Sequence, residues 1–340
     1  MVPPKVLFGC LTLCGALSFV YSLKLGAVPY SWHDVSAVVA SHLFGKPASG
    51  SPVDAVVWQL RVPRGLLAML VGAGLALAGI VMQTLVRNPL ADPYLLGVSS
   101  GASVGATAVI TFGVIGGMYA LSLGALLGAL AATLCVFLVA RWQGGLTPLR
   151  LILSGVVLSS AFSAVASFLI FRSSDGRAAQ SVMFWMLGSV SGATWAKLLI
   201  PAVVLVVSVA LVLLISRHLD ALAVGADTAA ALGVDVKNLR RILFFGHAVL
   251  VGVLVAVAGG IGFVGLIIPH LARMLVGSTH RAMVPISMAL GAVFLLWVDM
   301  ISRVAAPPQE IPLGVVTGII GAPLFLFIMG RRSYRFGGNL

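Results

Sequence analysis

Charge is scarce in this sequence: only 9% of its 340 residues are Asp, Glu, Lys or Arg, while 60% are hydrophobic, and the mean hydropathy is +1.12. A soluble domain carries about 25% charged residues, so water is not the only solvent for this chain. Cysteine is nearly missing as well. Cys10, Cys14 and Cys135 sit inside apolar runs without CxxC or metal-ligand spacing, which excludes a disulfide framework and a cysteine metal site. Also lacking are the phosphate-cradling GxxxxGKS/T and the HExxH zinc pair. The chain therefore cannot cradle ATP phosphates by itself, and an intramembrane hydrolase has no nucleophile–base or metal constellation to work with. No compact basic domain exists either. The net charge of +12 is dispersed between apolar segments, which argues against nucleic acid as a partner.

Long apolar runs are abundant, and so is glycine, at 39 residues, which suits close helix packing in lipid. A hydrocarbon core needs about 20 helical residues to cross. Runs near 4–22, 62–84, 93–113, 118–140, 150–171, 196–216, 282–302 and 312–329 meet that need. The first, with Met1 and Lys5 ahead of an apolar stretch to Val20, resembles a signal peptide. It lacks a small-residue cleavage site and further spans follow, so it is read as the first span. Phe244–Ile268 is ambiguous because Gly259-Gly-Ile-Gly262 interrupts it; it is one helix, or two with the second stopping before Pro269.

Charge decides between them. With two helices and the N-terminus inside, eight of the 21 basic residues fall outside: Lys24, Lys46, Arg61, Arg64, Arg172, Arg177, Lys197 and Arg303. The other thirteen, Arg332 and Arg335 included, fall inside. With one helix the balance reverses to nine inside and twelve outside. The positive-inside rule therefore selects ten spans with both termini cytoplasmic.

Three segments do not span. Ser31 to Phe44 reads as an interfacial helix, with Ser31 and Asp34 as a capping pair and Val35, Val38, Val39 and His42 on one face. Ser173–Gly188 reads as an external helix. The loop Arg217–Arg241 is too polar to cross, and Asp227 opens a short capped helix that Gly233 stops. Inside the spans, Asp299 stands four residues before Arg303, the spacing of an i,i+4 pair, and His247 is the sole intramembrane histidine. His270 and His280 flank a short loop. Two Gly/Pro-broken patches, Arg87–Pro93 and Gly259–His270, mark either tight packing or a path or moving joint.

Several segments together carry a family resemblance. They are Arg61-Val-Pro-Arg64, Leu70-Val-Gly-Ala-Gly74, Gly79-Ile-Val-Met-Gln83, the run from Arg87-Asn-Pro-Leu-Ala-Asp-Pro to Gly101-Ala, Phe184-Trp-Met-Leu-Gly188, Leu222-Ala-Val-Gly225 with Leu232-Gly233, Gly259 to Arg273, and Ile311 to Pro323. Across residues 55–330 the chain resembles the FecCD/BtuC-type permeases, membrane subunits of bacterial ABC importers for ferric siderophores, haem and cobalamin.

The resemblance implies an all-α, polytopic chain of ten transmembrane helices, one permease domain over residues 1–340 with the type II ABC importer fold, in a bacterial inner membrane. It implies three partners besides membrane lipid: a second permease subunit with the pathway between them, a periplasmic or lipid-anchored substrate-binding protein, and an ATP-binding subunit. That subunit would hold ATP and Mg, and the permease itself needs no cofactor. The loop 219–241 resembles the coupling helices seated in the ATPase, which assigns Leu222, Gly225, Ala226, Asp227, Ala229, Leu232 and Gly233 to coupling; relatives carry a glutamate directly after the glycine where Ala226 stands. Arg61, Arg64 and Arg303 match arginines that receive binding-protein carboxylates, as the planar guanidinium fork suits. Read from the residues alone, Arg303 pairs with Asp299, and Arg61 and Arg64 anchor in headgroups. Thr147, Pro148, Leu149 and Ser154 match the cytoplasmic gate and pathway. Ser159, Ser160 and Ser163 extend it, although Ser154 differs from Ser159 and Ser160 in helical phase, and any of them can bond its own i−4 carbonyl.

The cargo favoured by this resemblance is a ferric siderophore, with haem and cobalamin next. An ion-coupled secondary transporter is the rival from another class; it needs buried acids at the midplane and inverted repeats, for which Asp299 is thin support.

Overall fold

In the computed structural model the described residues are 3–26, 28–45, 51–113, 117–173 and 176–331. Lys46, Ser174, Asp175, Arg332 and Arg335 lie outside them. The elements are helical throughout: α1 (Pro4–Lys24), α2 (Trp32–Leu43), α3 (Pro52–Leu85), α4 (Val98–Thr111), α5 (Gly117–Trp142), α6 (Pro148–Arg172), α7 (Gly176–Met186), α8 (Trp195–Leu214), α9 (Ser216–Val224), α10 (Ala226–Ala231), α11 (Val236–Ala258), α12 (Val264–Val276), α13 (His280–Val304) and α14 (Leu313–Arg331). Among the described residues, seven helices are long and apolar enough to cross a membrane, and α4, α12 and α14 contribute three shorter apolar helices. The total of ten agrees with the number selected by charge. Successive spans alternate between a first end, where α1 starts, and a second end, where it stops.

The core is built on α3. From Gly65 to Met82 it is apolar all round, the pattern of a helix surrounded by protein, and 83% of its most hydrophobic stretch is buried, against 22% for α1. It packs on α13, α12, α11 and α8. The approach to α12 is close enough that a Cβ on Gly79 would stand 1.9 Å from the Gly265 carbonyl oxygen, so only glycine fits.

Three expectations need correction. The third span does not begin at Pro93: Pro93–Leu96 form a 3₁₀ turn and Gly97 adopts the left-handed region (φ 75°), so α4 starts at Val98. The helix after the Gly259–Gly262 break does not stop before Pro269; α12 runs on to Val276. Proline removes the N–H that would reach the Gly265 carbonyl. Gln83 of α3 replaces it, its Nε2 donating to Gly265 at 3.4 Å and to Leu266 at 3.3 Å. Finally, Asp227 does not cap its helix. The loop forms two helices, α9 and α10, and the residue ahead of α10 is Gly225, which has no side chain to cap with.

The break itself is present as expected. A Cβ on Gly259 (φ 69°) would lie 2.1 Å from the Trp185 carbonyl oxygen, and Ser189 donates to the Ala258 carbonyl at 2.8 Å. The Gly-Gly-Ile-Gly turn thus lets the end of α7 cross the gap between α11 and α12.

Outside the spans, Ser31 caps α2 as expected: its Oγ accepts the Asp34 N–H at 3.1 Å and donates to the Asp34 carboxylate at 2.6 Å, which holds that carboxyl below its ordinary value. Val35 and Val38 are buried, while His42 bonds Asp54 at 2.9 Å and stacks on Trp58 with ring centroids 4.2 Å apart. α2 is thereby clipped to the start of α3.

Candidate functional site

At the first end α9 and α10 form a two-helix knob with an inner and an outer face. Leu219, Leu222 and Ala229 are fully buried, which holds the knob against the spans, each leucine contributing roughly 1.5–3 kcal/mol. Gly225 is buried at the junction. Val224, Asp227, Thr228, Leu232 and Gly233 face outward, and Val224 and Leu232 are 68% and 69% exposed. Gly233 (φ 80°) ends α10 in a Schellman arrangement, its N–H donating to Ala230 and that of Val234 to Ala229. An apolar rim around an acid, carried on a short rigid unit, is a surface made for a protein partner.

Two polar ties fix the knob to the spans. The Arg87 guanidinium donates to the Val224 carbonyl at 3.3 Å from a backbone in the left-handed region (φ 51°). His280, the first residue of α13, donates its backbone N–H to Asp220 Oδ1 of α9 at 2.9 Å, and its Nδ1 lies 2.6 Å from the same oxygen. The His280 Nε2 reaches Thr84 Oγ1 of α3 at 2.8 Å. One buried imidazole therefore joins α9, α13 and α3. The sequence displayed His280 only as a loop flank, and Asp220 only as one acid in a polar loop. Their juxtaposition is tertiary.

Thr147, Pro148 and Leu149 start α6 at the first end, with Thr147 ahead of the helix, Pro148 at its first position and Leu149 66% exposed. Ser154 is buried, whereas Ser160 and Ser163 face outward. The difference in helical phase thus separates Ser154 from a lining shared with the other two. Ser160 bonds the Val156 carbonyl four residues back at 3.1 Å.

At the second end the arginines turn inward. Arg61, only 7% exposed, donates to the carbonyls of Leu23 (2.7 Å), Lys24 (2.9 Å) and Val28 (2.5 Å) and lies over the Tyr30 ring at 4.8 Å. Arg303, 6% exposed, donates to the carbonyls of Ser22 and Leu25, each at 3.3 Å, and pairs with Asp299 at 2.6 Å. The two side chains take up carbonyls that the last turn of α1 leaves without helical partners, at the negative end of its dipole. That is the compensation their position required, and it leaves both guanidinium groups largely buried. Arg64 donates its Nε to Asp299 at 2.8 Å and its two terminal nitrogens to Glu310 at 2.7 and 3.0 Å. Asp299 is fully buried between two guanidinium groups, while Glu310 is 42% exposed. Of this cluster only Glu310 is substantially exposed, against 11% for the Arg64 side chain, and Glu310 was not singled out because it lies in a loop far along the chain.

Residues 13–331 match the model of the FecCD transport family. The chain belongs to that family. The chain is 39% identical over 326 residues to the molybdate import system permease MolB of Haemophilus influenzae, covering 95% of this chain and 94% of that protein. It is likewise 39% identical over 314 residues to the cobalamin import system permease BtuC of Halobacterium salinarum, covering 91% and 82%. A solved inward-facing ABC transporter of metal-chelate type superposes with a TM-score of 0.85 at 38% identity, covering 97% of this chain and all of that one. This FecCD protein is thus a permease subunit of an ABC importer, with the helical membrane fold of that class.

Proposed function

We propose that this FecCD permease forms, with a second permease subunit, the pathway of an ATP-driven importer for a metal-containing cargo, a ferric siderophore first. The observation that carries the ATP-driven part is the α9–α10 knob: an outward face of Val224, Asp227 and Leu232 on a unit tied to α3 and α13 through His280. A partner that gripped this face and closed on ATP would move α9, and the Asp220–His280–Thr84 tie would carry that motion into two spans. The ATPase is a separate subunit, and the permease does no chemistry itself. Residues 1–340 act as one permease domain, with the knob and both termini cytoplasmic and α7 external.

A substrate-binding protein docks at the second end on the Arg64–Glu310 edge, with Arg61 and Arg303 holding that edge in place through α1 and Asp299. The gate lies at Thr147–Leu149, and the outward serines of α6, Ser160 and Ser163, face the second subunit across the pathway. The named relatives move molybdate and cobalamin, and the solved relative is of metal-chelate type, which supports a metal-containing cargo as the class.

Co-purification tests the coupling surface. The wild-type permease should retain its ATP-binding subunit through affinity and size-exclusion steps, and Leu232→Asp should release that subunit while the permease elutes unchanged. Retention by the variant as strong as by wild type would refute the knob as the grip.

A further inference from the structure

The first end carries a second feature to which the proposed function gives no role. α1, α8 and α13 leave a trough between them, about 340 Å³ in volume, lined by Leu11 of α1, Val209 and Leu213 of α8, and Met288 and Ala292 of α13. Past Leu213 and Pro285 it opens into a wider recess of about 1020 Å³ whose rim holds Lys5, Arg217 and Arg281. All three are exposed, and none has an ion-pair partner among the described residues. The single acid in the recess, Asp220, gives its Oδ1 to the His280 N–H and Nδ1. The positive end of the α13 dipole also lies there, at Thr279 and Arg281.

An apolar trough at membrane depth that meets three unpaired cations at the interface has the layout of a lipid, with a hydrocarbon tail below an anionic headgroup. A soluble anion would leave the trough unfilled. We propose that this groove binds an anionic phospholipid, its phosphate among Lys5, Arg217 and Arg281 and one acyl chain along α1, α8 and α13. A bound lipid would brace the start of α13 and α9 beside the coupling knob.

Lipid retention by native mass spectrometry tests it, on the permease extracted from bilayers of equal phosphatidylglycerol and phosphatidylcholine. The wild type should keep phosphatidylglycerol preferentially. Arg217→Gln with Arg281→Gln should cut that preference about 25-fold, or about fivefold for each charge at ~1 kcal/mol apiece. Arg141→Gln, an exposed arginine elsewhere at the same end, should leave it unchanged. Ala292→Phe, which fills the trough without touching charge, should lower retention of both lipids alike, with the elution profile confirming the fold. Three results would overturn the proposal: no headgroup preference in the wild type, a preference that survives loss of both arginines, or full displacement of the lipid by inorganic phosphate.

Discussion

Replacing His280 with alanine isolates the tie between the coupling knob and the spans. The imidazole is 2% exposed and makes two side-chain bonds, to Asp220 at 2.6 Å and to Thr84 at 2.8 Å. Asp220 is 38% exposed, so water recovers part of the lost bond, which places it near the low end for a charged partner, about 1.5 kcal/mol. Thr84 keeps its bond to the Ile80 carbonyl at 2.8 Å and is not left unsatisfied. The cavity left by the ring adds roughly 1 kcal/mol. Opening of α9 away from α3 and α13 should therefore become easier by about 2–3 kcal/mol, or roughly 30- to 150-fold. Hydrogen exchange on α9–α10 peptides of the assembled importer reads this directly. His280→Asn, whose amide N–H can still reach Asp220, should recover most of the protection. Uptake per ATP consumed should fall in the alanine variant while hydrolysis continues. Unchanged exchange in α9–α10 after His280→Ala would refute the tie, as would alanine and asparagine behaving identically.

Other consequences follow from single residues. Asp299→Ala strands Arg64 and Arg303 without their shared buried counter-ion and should cost about 3–5 kcal/mol, seen as a lower melting temperature in detergent; Glu310→Gln, at a partly exposed pair, should cost less than about 1 kcal/mol. Gly79→Ala drives a methyl into the Gly265 carbonyl and should destabilise by about 1–3 kcal/mol or more, with loss of the Gln83 bonds to α12. With Cys10, Cys14 and Cys135 replaced by alanine, a cysteine at Ser160 or Ser163 should react with a water-soluble thiol reagent at least tenfold faster than one at buried Ser154; equal rates would remove these serines from the pathway.

The legible parts of this molecule were those written in local pattern. Run length and the placement of arginine and lysine sufficed for the number of spans, because lipid thickness and charge asymmetry act on each segment alone. The Asp299–Arg303 pair was readable because i and i+4 share a helix face. Helical phase separated Ser154 from Ser160 in the same way. What could not be read are contacts between distant segments. Pro269 looked like a stop because its lost hydrogen bond is replaced by Gln83, 182 residues away from Gly265 in sequence. The inward turn of Arg61 and Arg303 depends on the open carbonyls of α1, which no motif announces. Glu310 and the Asp220–His280 pair likewise form only when loops meet. Family resemblance gave roles to the arginines but not their orientation.

The proposed import stands or falls on what drives it. The permease and its ATP-binding subunit, reconstituted in sealed vesicles with the cognate binding protein and its ligand outside and ATP within, should accumulate ligand only when ATP is hydrolysed. Leu232→Asp should abolish that accumulation. Uptake that followed a proton or sodium gradient, and persisted without the ATP-binding subunit, would contradict it.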